Sequence, residues 1–571
     1  MDENLKSQNS DLNKKEEATK SSYNNSRFII NLPILLTIAI AGGVLIGATM
    51  FGKDGYGDRY NDLLKAVGKY RDVLSAIDQN YVDKVNTEEL VDYSITQMLE
   101  KLDPHSVYIP AKDVAKANEE LQGNYEGIGI EFNIIKDTIY VVAPLSGGPS
   151  ESVGIQPGDR ILKVDGESVA GININIKGVH DRLKGPKGSK VKVIILRKDE
   201  KEPIGFTITR DKIPQYSLEA SYMVNENTGY MKITRFAATT YNEFKTALTD
   251  LKKKGMTQLI LDLRGNPGGY FDRANKISDE FLPDKKLIVY TKSNGSRFDE
   301  RVVATSKGDF EDGALIILID EGSASASEIV AGAIQDNDRG LIVGRRSYGK
   351  GLVQIPFNIT DGSELRLTIS RYYTPSGRSI QKPYHAGDFD EYAGDISKRA
   401  SHGEFFHADS IKFADSLKYQ TTKGRVVYGG GGIMPDVFVP KDTSMITQYL
   451  VELAARDVIR EYAHDYYFKN RKTLEKLEYE DFREDFDITD KMLTNMTDLA
   501  TSYNIKYKND DFQISKEYIK VQIKGLIARS VWGNNSISGN NKAYPILNKQ
   551  DSEFQHALKL FGQAKSLAQG H

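Results

Sequence analysis

The sequence contains no cysteine. Disulfides, thiolate nucleophiles, iron–sulfur clusters and cysteine-ligated zinc are therefore excluded, and covalent catalysis is confined to Ser, Thr, Lys, His, Tyr or a carboxylate. An excess of one charge is also lacking: 76 basic and 79 acidic side chains leave a formal net charge of −3. A dedicated nucleic-acid binder carries a marked basic excess, so nucleic acid is not expected as a partner. Histidine is scarce. None of the eight (His105, His180, His385, His402, His407, His464, His556, His571) stands in a recognisable triad context. No Gly-Lys-Ser/Thr follows the turn Asn266-Pro267-Gly268-Gly269, which excludes a phosphate loop there. The chain has no internal repeat.

What is present is length and apolar content. At about 100–200 residues per domain, 571 residues predict three or four domains. An apolar share of 39% with 27% charged residues suits a folded core. One long run, residues 28–51, has no charged side chain. As a helix it would reach about 36 Å, enough to cross a bilayer. Residues 1–27 are polar, with Lys20 and Arg27 just before the run. The expectation is a disordered cytoplasmic tail (1–27) and an uncleaved transmembrane anchor (28–51). The rest would be exported, giving a single-pass protein of the bacterial inner membrane with its catalytic part on the periplasmic side.

Beyond the anchor the chain changes character four times. Residues 55–120 read as helical, with Leu63, Leu64, Val67, Val73, Leu74 and Ile77 at helical spacing. Within them Leu102-Asp103-Pro104-His105-Ser106 is a turn signal. Residues 121–212 alternate short β-rich runs with Gly/Pro turns, and Asp165-Gly166 predicts a hairpin. Residues 213–440 alternate buried-type strands, Leu259-Ile260-Leu261 and Leu315-Ile316-Ile317-Leu318-Ile319, with helical stretches, as in an α/β domain. Residues 441–571 read as a helical extension. Leu450, Ala454, Val458 and Tyr462 form one stripe, Phe554, Leu558 and Phe561 another, and an Asn/Gly-rich loop runs from Gly533 to Asn541.

Chemistry is suggested in three places. Gly322-Ser323-Ala324-Ser325-Ala326-Ser327-Glu328 joins an apolar strand to a helix pattern. A serine at such a junction exposes its hydroxyl, and free N–H groups at the helix start suit a developing oxyanion. Ser325 with Glu328 also fits a plain capping box, and the pattern does not choose among Ser323, Ser325 and Ser327. A serine nucleophile needs a base. Lys350, in Tyr348-Gly349-Lys350-Gly351-Leu352-Val353-Gln354, is followed by apolar residues that would depress its pKa, or else is a solvated surface lysine. Gln354 lies four residues on, within reach of the lysine amine. Ser347-x-x-Lys350 matches the Ser-x-x-Lys pattern of penicillin-binding enzymes, but glycines bracket the lysine and no Ser-Asp-Asn companion exists. The third place, Asp262-Leu263-Arg264-Gly265-Asn266-Pro267-Gly268-Gly269, follows a strand and offers N–H groups to a ligand, or is only a turn.

Taken together and in order, these motifs resemble those of the C-terminal processing peptidases, or tail-specific proteases. Leu102–Ser106, Tyr373-Thr374-Pro375-Ser376-Gly377-Arg378-Ser379-Ile380-Gln381 and Gly431-Gly432-Ile433-Met434-Pro435-Asp436 extend the resemblance across about residues 60–440. It implies an α/β crotonase/ClpP-like protease core (213–440) interrupted by a PDZ domain (121–212). It further implies Ser325 as nucleophile, Lys350 as general base, Gln354 as the residue that orients it, and Gly269 and Ala326 as oxyanion-hole N–H donors. Gly127-Ile128-Gly129-Ile130 would be the PDZ carboxylate-binding loop, with the PDZ domain gating the site and the 182–187 loop reaching the core. No metal or cofactor is implied. The expected partners are polypeptides with unstructured C-termini, with a homodimer or an adaptor protein as further candidates for the extension. The expected function is a membrane-anchored serine endopeptidase acting near the C-termini of exported proteins. The alternative is a non-catalytic PDZ scaffold on a protease-like core.

Overall fold

Six consecutive apolar residues, Ala314–Ile319, need cover on both faces, and the fold is built around them. The computed structural model describes residues 56–569 apart from 146, 199, 386, 388, 534 and 535. In it this strand is buried along its whole length inside a six-stranded sheet. The order is Leu218–Met223, Thr228–Ile233, Gln258–Asp262, Ala314–Ile319, Leu341–Gly344, Val437–Phe438. The first ladder is antiparallel and the others are parallel. Side chains alternate between the faces. Leu315, Ile317 and Ile319 join Leu259 and Leu261 beneath Phe244, Ile277 and Ile329, which come from helices Thr240–Lys253, Phe271–Asp279 and Ala326–Asp336. Ile316 and Leu318, with Ile260, Leu341 and Val343, meet Phe554, Ala557 and Phe561. The second cover layer therefore comes from the C-terminal extension, through helices Ser552–Leu558 and Phe561–Gln569.

A second sheet holds the strand after Lys350. Leu352–Asn358 pairs with Glu364–Tyr373, which also pairs with Leu287–Ser293 and with the short strand Val107–Ile109. Residues 130–209 form a separate antiparallel sheet around Ile139, Val141, Ile161, Val191, Val193, Ile195 and Ile208. Its edge strand is Ile130–Ile134, and helix Ile176–Leu183 packs Val179 and Leu183 into the same core. The expected Asp165-Gly166 hairpin is present, with both residues at positive φ (47° and 92°), as a two-residue turn requires. A two-stranded ladder, Asn124–Gly127 with Asp211–Pro214, ties the entry and exit of this body together. The 182–187 loop, expected to reach the core, bonds instead to its near surroundings among the described residues: Lys184 pairs with Glu119 and Lys187 with Asp211.

The extension departs from its expected pattern twice. The stripe Leu450–Tyr462 is not one helix. Gln448–Ala455 ends, Asp457 turns at φ 51°, and Val458–Leu474 begins, so Ala454 is exposed and Leu453 takes the buried place. The Asn/Gly-rich segment is helical from Ser536 (Ser536–Leu547). There Asn540 donates to the Glu219 carbonyl at 3.0 Å and Asn541 accepts the Ser221 N–H at 2.6 Å. Docking onto the edge strand overrides the weak helix propensity of Asn and Gly.

The chain divides into two compact units, Met1–Ser94 and Ile95–His571. In the first, the helical reading is matched by the helix Tyr56–Asn80. The single-pass membrane placement is corrected. Among the described residues no helix is long and apolar enough to cross a membrane. The longest of the extension, Asn509–Trp532, carries Asp510, Asp511, Lys516, Glu517, Lys520, Lys524 and Arg529. The expected span 28–51 and the tail 1–27 lie outside the described residues. The inner-membrane, periplasmic localisation rested on such a span, and no described helix supplies one.

If the extension is the second cover of the sheet, truncating its anchor must open a cavity there. Phe554 is 2% exposed and meets the Tyr230 ring edge-on at 5.4 Å. Phe554→Ala is expected to cost about 3–5 kcal/mol, read as a lower urea midpoint for the transition of the domain that holds the six-stranded sheet.

Candidate active site

Strand Ala314–Ile319 runs into residues 320–324, and helix Ala326–Asp336 starts immediately after Ser325. Ser325 sits at φ 53°, ψ −111°, a conformation costly for any residue with a Cβ. The three serines are not equivalent. Ser323 is fully buried; its hydroxyl donates to the Leu263 carbonyl at 2.8 Å and accepts the Asp320 N–H at 2.9 Å. Ser327 is fully buried and donates to the Asn266 carbonyl at 2.9 Å. Both hydroxyls are used to fasten the 262–269 turn. Ser325 alone of the three is half-exposed.

The 262–269 turn lies directly against Ser325. Gly268 has φ 101°, and a Cβ there would stand 2.8 Å from Ser325 Cβ and 2.9 Å from the Ala326 nitrogen. Gly269 has φ 142°, and a Cβ there would stand 2.2 Å from the Phe236 carbonyl oxygen. Among the described residues no acceptor takes the N–H of Gly269 or of Ala326. Both are thus available to an incoming oxygen.

Glu328 joins this serine to the lysine loop. Its carboxylate is fully buried. It accepts the Ser325 N–H at 2.8 Å, the expected capping-box contact. It also accepts the Ser347 hydroxyl at 2.5 Å, the Gly349 N–H at 2.7 Å and the Lys350 N–H at 2.9 Å. Burial pushes this carboxyl up to about 7, against four donors that favour its charged form. The buried Tyr372 hydroxyl stands 2.8 Å from the Lys350 carbonyl and 3.2 Å from that of Ser325. Burial lowers the Lys350 amine below the ordinary lysine value, with Glu328 and Asp103 pulling the other way.

The amide of Gln354 is held at one end. Its Nε2 donates to Thr368 Oγ1 at 3.0 Å, and Thr368 donates to Asp103 at 3.0 Å. A bulge at Val353/Gln354 sets this geometry. Asp103 also accepts the N–H groups of His105 and Ser106 at 2.8 and 2.9 Å, so the expected 102–106 turn is an Asx turn. His105 bonds the Tyr392 hydroxyl at 2.7 Å. Burial first, then the nearby Lys350 charge, hold its imidazole down to about 4. Sequence reasoning missed Tyr372, Tyr392, Thr368 and the double role of Glu328. The Asp103–His105 string was visible as a turn, but its partners are more than 250 residues away in the chain.

At the other candidate site, the Ile128 and Gly129 N–H groups have no acceptor among the described residues. Gly129 has φ 70°, and the Ile128 side chain anchors in the core behind. Gly127 ends one strand and Ile130 starts the next. Phe132 faces His180 of helix Ile176–Leu183, with ring centroids 6.0 Å apart.

Residues 227–390 match peptidase family S41 and residues 140–197 match the PDZ domain. Residues 52–113 match the N-terminal domain of the activating protease CtpB, and residues 449–533 match a family of unknown function. The carboxy-terminal-processing protease of Bartonella bacilliformis is 36% identical over 326 residues, covering 56% of this chain and 73% of that protein. The carboxy-terminal processing protease CtpB of Bacillus subtilis is 35% identical over 322 residues, covering 56% of this chain and 66% of its own. Sheet, site and matches define a serine-type endopeptidase with a PDZ domain. The chain belongs to the carboxy-terminal processing proteases of peptidase family S41.

The contact between Gly268 and the serine gives a test. Gly268→Ala forces the turn away from Ser325 and Ala326, and should lower peptide turnover about 10²-fold, with the circular-dichroism spectrum unchanged.

Proposed function

We propose that Ser325 and Lys350 form the catalytic dyad of this peptidase. The observation that carries the reading is the shared Glu328 carboxylate, which holds the backbone N–H groups of both residues. Ser325 Oγ attacks the scissile carbonyl carbon while the neutral Lys350 amine takes its proton. The N–H groups of Gly269 and Ala326 receive the oxyanion. As the tetrahedral adduct collapses, the C–N bond breaks and the Lys350 ammonium returns the proton to the departing amine. Water then gives a proton to Lys350 and attacks the Ser325 ester, releasing a new carboxylate and the free serine. Gln354 orients the lysine. With its Nε2 committed to Thr368, its Oε1 is the end that accepts from the amine.

We place the substrate's C-terminal carboxylate at the 127–130 loop, where the free N–H groups of Ile128 and Gly129 suit an anion. The preceding residues would add a strand along the edge of Ile130–Ile134, opposite helix Ile176–Leu183. Specificity would then come from the C-terminal residue of the peptide, and cutting from the protease core.

Ser325→Ala and Lys350→Ala should each reduce turnover of a peptide with an apolar C-terminus by about 10⁴-fold. Titration calorimetry should show the same peptide binding to both. Undiminished turnover in either variant removes the dyad. Because burial lowers the Lys350 pKa, the neutral amine becomes available before an ordinary lysine's would. Turnover should rise with pH and level off below 10.5, the unperturbed lysine value; a profile that falls across the same range contradicts a lysine base.

A further inference from the structure

Each of the three loops that carry the proposed chemistry contributes charged groups to one cluster. Arg264 opens the turn that ends at Gly268 and Gly269. Its guanidinium donates to Asp262 at 3.0 and 2.6 Å, and to Asp551 at 3.1 and 2.8 Å. It also reaches Glu553 at 3.3 Å. Arg345 opens the loop that ends at Lys350, and its side chain is 5% exposed. It donates to Glu321 at 2.8 Å and to Glu553. Asp320 and Glu321 stand on the loop before Ser325, where Asp320 accepts the N–H groups of Gly265 at 2.8 Å and Gly322 at 3.0 Å. Lys441 closes the rim on Glu321 at 2.9 Å. Of these carboxylates, only Asp551 and Glu553 come from the C-terminal extension.

We infer that Asp551 and Glu553 are positioning residues for the peptidase centre, holding the glycine turn and the lysine loop at their working separation through Arg264 and Arg345. The inference rests on the Ser325–Lys350 reading. A guanidinium is a rigid planar fork, so a two-point grip fixes its direction as well as its place. Asp551 takes Arg264 in this way. Glu553 reaches both arginines with separate oxygens, Oε2 toward Arg264 and Oε1 toward Arg345. It therefore bridges directly two loops that are otherwise joined through the segment 320–328 between them, by way of Asp320, Ser323, Ser327 and Glu328. Asp551 also caps helix Ser552–Leu558 through the Phe554 N–H at 2.9 Å, which ties the grip to the layer covering the sheet. Residues 551–553 lie outside the segments matched to any family.

The test uses the full-length chain carrying Asp551→Asn, Glu553→Gln, both together, or Glu553→Asp. Steady-state kinetics on a peptide are read beside the rate at which a fluorophosphonate labels Ser325, and beside the melting temperature. The double variant should lose about 10²-fold in kcat and in labelling rate, the scale of an ångström-level misplacement. KM and melting temperature should hold, and Glu553→Asp should recover part of kcat. Unchanged kcat in the double variant overturns the inference. So does a fall of kcat only in proportion to a lost melting transition, which would make the pair a structural prop. If the double variant does not fold, Asp551→Asn, at the solvent side of the cluster, is judged by the same two criteria. Ser325→Ala separates the two ideas. If it still turns over, the dyad itself fails; if it is dead while the double variant is fully active, only the positioning role fails.

Discussion

A carboxylate with no solvent exposure is costly to bury unless donors converge on it, and Glu328 is buried with four. Two of those donors fix the backbone of Ser325 and Lys350, and the other two close the loop between Ser347 and Gly349. The site is therefore not two loops that happen to meet. It is one polar knot in which no donor can leave without exposing the others to an unsatisfied charge. The unusual φ of Ser325 persists because this knot and the buried helix behind it over-determine the backbone.

The knot needs a rigid floor, and the sheet provides it through alternation. One face of Ala314–Ile319 is covered by helices close in sequence, including the one that Ser325 starts. The other face is covered by residues more than 200 positions later. The same late segment brings Asp551 and Glu553 to the two arginines. Tyr230 shows how closely the two roles are joined: its ring packs on Phe554 while its hydroxyl donates to Asp262 at 2.8 Å, the carboxylate that anchors Arg264. Packing of the extension and electrostatics of the site are here the same contact seen from two sides.

Much of this was legible in the sequence where the signal is local. An aliphatic run marks a buried strand, Asp-Gly marks a hairpin, and Asn-Pro-Gly-Gly marks a turn of positive φ, because each is decided within a few residues. The choice among Ser323, Ser325 and Ser327 was not, because it depends on which hydroxyls reach Leu263 and Asn266, some 60 residues earlier. Gly268 was read only as part of a turn; its closeness to Ser325 arises from two loops meeting. The helix over Asn540 and Asn541 contradicts their propensities and is explained by an edge strand more than 300 residues away. The hydropathy of residues 28–51 predicted a membrane span; those residues lie outside the described ones, and among the described residues no helix is long and apolar enough to cross a membrane.

Every residue of helix Ala326–Asp336 is buried. At its far end the fully buried Arg378 donates to Asp336 and Gln335 at 2.8 and 2.7 Å. Gripped at both ends and on all sides, this helix is the anvil of the enzyme. Any cycle of opening and closing must be carried by the parts around it, and under the proposed mechanism the scissile bond would have to travel to the serine.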